Sequence, residues 1–387
     1  MAGRSLWNRI EQRFKREYLR LFEAALGRRA ADPREIRPER VRSVLVVRQH
    51  DQLGDFLLST PVLRALRSAY PAARIGLVVR GYTEPVARHL PQVDEILVVR
   101  EALHEWSLAE AKGFLRRLLR GWDLAIVLNT VSHSLTSDLI ARFSRARWTV
   151  GPSHLRFPGT KRNFFYSIEI PPCPDPVRHQ SLRNLDIVYP LGIRTDDLRE
   201  MMQLLPGEVE QMRRRLRGLG VREGEALLVV HPGAGKPANR WPAERFGRAA
   251  QDLAGEFGLR TVVVWGPGET RLGKDALRMA PANSVALTGL SLRELAALFR
   301  LASLVLCNDT GSMHVAAAVG TPLVAVFGPT DPAEWKPWGE EFVAVRAPDR
   351  RCESVTVEEV VGAARRLLLS QAKLSPRPLA RAEPAGG

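Results

Sequence analysis

The chain has 387 residues, 45% of them apolar and 26% charged, with a formal net charge of +15, a balance that suits two globular domains and excludes general disorder. Cys173, Cys307 and Cys352 stand far apart with no C-x-x-C spacing, which argues against a disulfide framework or a zinc site and fits a reducing cytoplasm. No apolar run approaches the roughly 20 residues that span a bilayer, the start MAGRSLWNRIEQRFKREYLRLF lacks the apolar stretch of a secretory signal, and the positive charge calls for an anionic partner such as nucleic acid, anionic lipid or a phosphorylated ligand.

Residues 1–40 form a basic extension in which Trp7, Ile10, Phe14, Tyr18, Leu21 and Ala25 recur at helical spacing, with arginines and lysines between them. The pattern predicts an amphipathic helix whose residues 5–26 either lie on an anionic membrane surface or pack on protein. From Val41 short β-branched runs alternate with helical stretches: strands are expected at 41–47, 74–79, 95–99 and 123–128, then an irregular, proline-containing region from Pro152 to Pro176. Helices follow at His179–Leu191 and Gly207–Leu219, and the linker falls within 192–225, its helical part at 201–225. The alternation restarts with strands at 226–230, 260–266, 284–289, 303–307 and 322–328, giving an N-terminal domain over 41–200 and a C-terminal one over 226–350. A last helix within 351–371 is free to pack back on the first half, and a disordered tail occupies 372–387. The fold class is α/β, with two parallel, doubly wound halves facing a central cleft where the carboxyl ends of their strands would gather the site.

The first strand runs into QLGDFLLSTP, where Asp55 stands at a helix start. Asp55 either caps that helix or accepts the proton of an attacking hydroxyl; Asp51 is the local competitor, and Ser59 and Thr60 are placed to orient an acceptor. In the second half HPGAGKPANRWP, His231 to Pro242, follows the first strand. Gly233 and Gly235 let a ligand approach the backbone, and Lys236 and Arg240 suit phosphate oxygens, although an ordinary strand-to-helix loop reads the same way. The strongest signal is CNDTGSMHVAAAVGTPLVAVFGPTDP, Cys307 to Pro332. Asp309, Thr310 and Gly311 make a polar turn before a small-residue helix, and His314 lies one turn further on, serving either the structure or the ligand. No Asp-x-Asp supplies a metal clamp and no G-x-x-x-x-G-K-[ST] supplies a P-loop. A diphosphate would therefore be met by backbone N–H groups, helix ends and basic side chains.

Taken in order, QLGDFLLSTP, HPGA with NRWP, and NDTGSMHVAAAVGTPLVAVFGPTDP resemble glycosyltransferase family 9, which includes the ADP-heptose:lipopolysaccharide heptosyltransferases, over roughly Val41 to Trp338. The resemblance implies a GT-B fold with two Rossmann-like domains, an N-terminal acceptor-binding one and a C-terminal sugar-nucleotide-binding one. It further implies an inverting, metal-independent transfer of heptose from ADP-heptose to the lipopolysaccharide inner core, with Asp55 as base, no cofactor and no metal ligands. Donor binding would fall to His231, Gly233, Ala234, Lys236, Arg240, Asp309, Thr310, Gly311 and His314, with Leu290 on the nucleotide base and Glu269 on the ribose. The expected partners are the nucleotide sugar, a lipopolysaccharide-precursor acceptor and an anionic membrane surface. The expected location is cytoplasmic, peripheral on the inner membrane. One departure is that Asn239 stands where the family usually has lysine. It keeps open a same-fold enzyme using another nucleotide sugar for a different surface glycan. The charge alone would also permit a nucleic-acid-binding protein, which leaves the polar loops at strand ends unexplained. A nicotinamide oxidoreductase would need glycines that VVRQHDQLGDF lacks.

Overall fold

The structure, a computed structural model, describes residues 21–49, 52–157 and 160–374. Most of the basic extension, the competitor Asp51 and the tail beyond 374 lie outside the described residues. In chain order the elements are β1 (Ser43–Val47), α1 (Leu53–Leu57), α2 (Thr60–Ala69), β2 (Arg74–Arg80), α3 (Glu84–Ala87), β3 (Glu95–Val99), α4 (Leu108–Leu118), β4 (Leu124–Val127), α5 (Leu135–Phe143), β5 (Trp148–Pro152), β6 (Ile168–Ile170) and α6 (Gln180–Asp186). They continue with α7 (Pro206–Gly218), β7 (Leu227–His231), α8 (Ala243–Phe257), β8 (Arg260–Trp265), α9 (Thr270–Met279), β9 (Val285–Thr288), α10 (Leu292–Leu301), β10 (Leu304–Asn308), α11 (Gly311–Ala318), β11 (Leu323–Phe327), α12 (Pro332–Trp335), β12 (Phe342–Arg346) and α13 (Val357–Leu374). No helix among the described residues is long and apolar enough to cross a membrane.

The chain forms two compact units. One comprises the described residues of Met1–Asp51 with Pro61–Glu84 and Pro91–Asp197; the other comprises Leu198 onward together with Gln52–Thr60 and Pro85–Leu90. The halves of the sequence therefore do not map one to one on the units: the segment that carries Asp55 belongs to the second.

The first unit holds a sheet in the order β3-β2-β1-β4-β5-β6. All its pairings are parallel. Its strands are short apolar runs such as SVLVV and LAIV, almost fully buried, as a parallel sheet covered by helices requires. Leu45, Val78, Leu97, Phe114, Trp122, Ile140 and Phe165 share its core. Helix α4 starts where Ser107 accepts from the Glu110 N–H and Glu110 returns to the Ser107 backbone, a reciprocal cap. The described end of the basic extension joins this unit. Phe22 packs edge-on against Phe164 and Phe165, at 6.3 and 5.8 Å between ring centres, and Arg142 Nε donates to the Leu26 carbonyl at 2.7 Å. The face that packs on protein carries Phe22 and Leu26, whereas the two described residues of the expected stripe, Leu21 and Ala25, are exposed.

The second unit repeats the topology as β12-β11-β10-β7-β8-β9, again wholly parallel. Its core gathers Leu228, Val230, Trp241, Phe246, Leu253, Val263, Leu306 and Val326 with Val360, Val361 and Leu367 from α13. The closing helix fills this core. Three strands escaped the sequence reading: β5, β6 and β12. The β6 strand is three residues long, and β5, WTVGP, ends in Gly151 and Pro152, so neither carries a strand-length apolar run. The expected linker is structured as well, since α7 packs against α10 in the second unit.

Candidate active site

In a parallel sheet every strand ends at the same edge, and the candidate donor residues of the second unit line up along it. His231 ends β7 with Gly233 and Ala234 just after it, Glu269 follows β8, Leu290 follows β9 and Asp309 to Gly311 follow β10; Thr330, which was not among the candidates, follows β11 at the same edge. The strand order reverses between β7 and β10, which are neighbours. That reversal opens the crevice in which doubly wound sheets hold their ligands.

Asn308, the last residue of β10, fastens the loops on either side of it. Its Nδ2 donates to the Pro232 carbonyl at 2.9 Å, and its Oδ1 accepts from the Trp241 N–H at 2.9 Å. Trp241 is fully buried and donates from Nε1 to the Val355 carbonyl at 2.9 Å, so the NRWP motif anchors the loop in the core. Arg240 Nε donates to the Ala234 carbonyl at 2.7 Å and closes the loop on itself, while Lys236 is exposed at its tip. A Cβ on Gly233 would come within 2.2 Å of the Glu269 carboxylate, which is itself held by the Gly266 N–H at 3.0 Å. Only glycine lets that carboxylate lie on the β7 loop. Burial lowers the His231 pKa and the Glu269 charge opposes it, which leaves a neutral imidazole under the loop.

Asp309 is oriented by two donors. Asn239 Nδ2 reaches its Oδ2 at 3.1 Å, and the Thr330 hydroxyl donates to the same oxygen. The residue that departs from the family pattern is thereby buried against the loop it would have served. Thr310 precedes α11 in extended conformation and makes no side-chain cap, and the helix behind it is buried from Ser312 to Ala318. Leu290 is half-buried beside Gly289, whose φ of 68° turns the chain out of β9.

Asp55 lies in the same unit as this edge. It is the third residue of α1, and the cap position belongs to Gln52, so the reading of Asp55 as the helix cap is not the one the structure adopts. A carboxylate in a first helical turn is still favoured by the helix dipole. The turn is packed on α11: a Cβ on Gly311 would meet Leu53 Cβ at 3.1 Å, and one on Gly54 would meet the His314 ring at 2.6 Å. Asp55 is half-buried. Ser59 and Thr60 are placed otherwise than an acceptor contact requires. Both are buried, and their hydroxyls donate to the Phe56 and Leu57 carbonyls at 2.6 and 2.7 Å. They close the end of α1.

His314 is buried, with Nδ1 2.8 Å from Glu200 Oε1. Burial favours the neutral ring, but Glu200, Asp309 and Asp55 together outweigh it and raise the pKa. Glu200 escaped the sequence reading because it stands more than a hundred residues from His314 in a segment without a motif. Asn308 and Thr330 lay inside quoted motifs and could have been found there.

The comparisons with known proteins decide the family. Residues 113–361 match the sequence profile of glycosyltransferase family 9 (heptosyltransferase). The chain belongs to glycosyltransferase family 9. It is a glycosyltransferase enzyme with the GT-B fold, the two Rossmann-like units described above. Among relatives, it is 27% identical over 308 residues to lipopolysaccharide heptosyltransferase 3 of Escherichia coli, covering 77% of this chain and 87% of that protein. Among solved structures of the fold, a family 9 glycosyltransferase from Veillonella parvula superposes with a TM-score of 0.73 at 24% identity, covering 85% of this chain and 97% of that one. The Escherichia coli ADP-heptose heptosyltransferase II follows with 0.68 at 23% identity, covering 85% and 99%.

Proposed function

We propose that this family 9 enzyme transfers a heptose from ADP-heptose to the inner core of a lipopolysaccharide precursor, with inversion at the anomeric carbon and without a metal. The observation that carries this reading is the packing of the turn next to Asp55 on α11, with Gly54 on the His314 ring and Leu53 on Gly311, within one compact unit. A hydroxyl of the acceptor attacks the anomeric carbon while Asp55 takes its proton, and ADP leaves from the opposite face. Charge growing on the leaving diphosphate is met by the N-terminus of α11, by Thr310 and Gly311, by Lys236 and Arg240, and by the positive charge of His314 behind them. Glu269 serves the ribose and Leu290 the base. The relatives' names support the sugar and the acceptor class, and the lack of any Asp-x-Asp supports a metal-free diphosphate site.

The test is to incubate the protein with ADP-heptose and lipid A bearing Kdo and to look by mass spectrometry for the addition of one heptose. The absence of product, of donor hydrolysis and of ADP binding together would remove the assignment. Asp55→Ala should lower kcat by about 10²–10⁴-fold, the usual share of a positioned base, with the fold intact by circular dichroism. Asn239, buried on Asp309, favours a second reading, in which the enzyme takes a different nucleotide sugar. A thermal-shift screen of ADP-, UDP- and GDP-sugars separates the two. The basic segment 5–26 is proposed to hold the enzyme on the cytoplasmic face of an anionic membrane, and co-sedimentation with anionic but not neutral vesicles checks it.

A further inference from the structure

Glu200 and His314 form a buried ion pair beside the proposed base. The Glu200 side chain has no exposed surface and that of His314 is 4% exposed. Glu200 Oε1 meets His314 Nδ1 at 2.8 Å, and Oε2 is buried without a hydrogen-bond partner. A carboxylate taken out of water with one oxygen undonated is costly unless a cation lies against it. The imidazole is the group in contact that can supply that charge. On the other side of the ring, its Cδ2–Nε2 edge lies on Gly54: a Cβ there would come within 2.6 Å of Cδ2 and 3.0 Å of Nε2. The next residue is Asp55.

The charged groups acting on His314 come from three elements. They are Glu200 from the segment ahead of α7, Asp309 from the end of β10 and Asp55 from α1, all acidic. Burial alone would strip the proton from the ring; three carboxylates hold it there, and the His314 pKa stands above its ordinary value. Glu200 is itself pushed upward by burial and pulled back by His314. With two further carboxylates on the imidazole side, the shared proton resides on the ring.

We infer that Glu200 is a positioning residue of this site: by gripping Nδ1 it fixes the His314 ring and keeps it an imidazolium whose far edge supports the turn carrying Asp55. The positive ring then lies against the turn that carries the proton acceptor and offsets charge arriving with the diphosphate. The inference rests on the reading of Asp55 as base. Glu200 itself touches no reacting atom.

The experiment compares wild type with Glu200→Gln, which keeps the shape and an oxygen for Nδ1–H but removes the charge. The first readout is the NMR titration of the His314 ring in the free protein, which needs no substrate. Its midpoint should fall by about one pH unit or more, as loss of an adjacent opposite charge implies. The second is the pH profile of kcat. Activity that needs the imidazolium declines as pH rises through the His314 midpoint, so this alkaline limb should move down in pH with the titration, while at pH values below both midpoints the KM values stay near wild type. An unchanged His314 midpoint overturns the inference, even if the variant melts earlier, since that is what a purely structural glutamate would give. A lowered midpoint with an unmoved alkaline limb overturns it too. If the midpoint falls but wild type shows no transfer from ADP-heptose, the donor assignment fails while the hold of Glu200 on His314 stands. Should Glu200→Gln not fold, Glu200→Asp retracts the carboxylate by one carbon. It should lower the midpoint by less, and an unshifted midpoint there counts against the proposal equally.

Discussion

Asn239 donates its side-chain amide to Asp309 Oδ2 at 3.1 Å, and the Thr330 hydroxyl donates to the same oxygen. Three loops, those after β7, β10 and β11, are therefore tied through one carboxylate. Asn239→Ala removes one donor from a charged acceptor and should cost about 1–3 kcal/mol of stability, read by urea denaturation. The freed Asp309 should also raise the donor KM more than it lowers kcat. A donor KM equal to wild type would mean that Asp309 is oriented by Thr330 alone.

The order of elements was largely legible, because nine of the strands are compact apolar runs that no helical period fits. What was missed had a physical reason. The β6 strand, Ile168–Ile170, is shorter than any periodicity can mark, and Glu200 looks like any surface glutamate until the fold buries it beside His314. Close approach of the backbone was legible where glycine and motif coincided, at Gly54, Gly233 and Gly311. Ser59 and Thr60 misled, because hydroxyls next to a candidate base look functional in a sequence, whereas here they terminate a helix.

Gly233 tests the placement of Glu269. In Gly233→Ala the new methyl would sit 2.2 Å from the Glu269 carboxyl group, the far end of a flexible side chain that can swing away. Stability should hardly change, whereas ADP affinity should fall by about tenfold, or 1.4 kcal/mol, measured by calorimetry. Because the loss acts through Glu269, the double variant Gly233→Ala/Glu269→Ala should bind little worse than Glu269→Ala alone. Additive losses would show that the methyl blocks the nucleotide directly.

Arg293 and Glu208 give a pH-dependent contribution to stability. The guanidinium pairs with Glu208 and also donates to the Pro85 and Gln203 carbonyls at 2.7 and 2.9 Å. The hydrogen bond from Arg293 is the main reason the Glu208 pKa lies below its ordinary value of 4.5. A carboxyl depressed in the folded state stabilises above its unfolded pKa, and that share is lost as pH falls through the folded one. Glu208→Gln should therefore cost about 1 kcal/mol near neutrality, and the gap to wild type should close as urea midpoints are followed downward from pH 4.5. A gap that stays constant with pH would remove the ion pair from the account.

Gly54→Ala strikes the contact between the Asp55 turn and α11. The added Cβ would stand 2.6 Å from His314 Cδ2, a ring held on its other side by Glu200 and buried on α11. The ring therefore has little room to retreat, and the α1 turn must move instead. Overpacking of this kind costs about 1–3 kcal/mol, visible as a lower urea midpoint. A displaced turn carries Asp55 with it, so kcat should fall by about 10²-fold, as small misplacements of a reacting group do, with ADP affinity changed much less because the loop after β7, which carries Gly233 and Lys236, is not touched. Equal loss of ADP affinity would place the effect of Gly54 on the nucleotide site and not on the base.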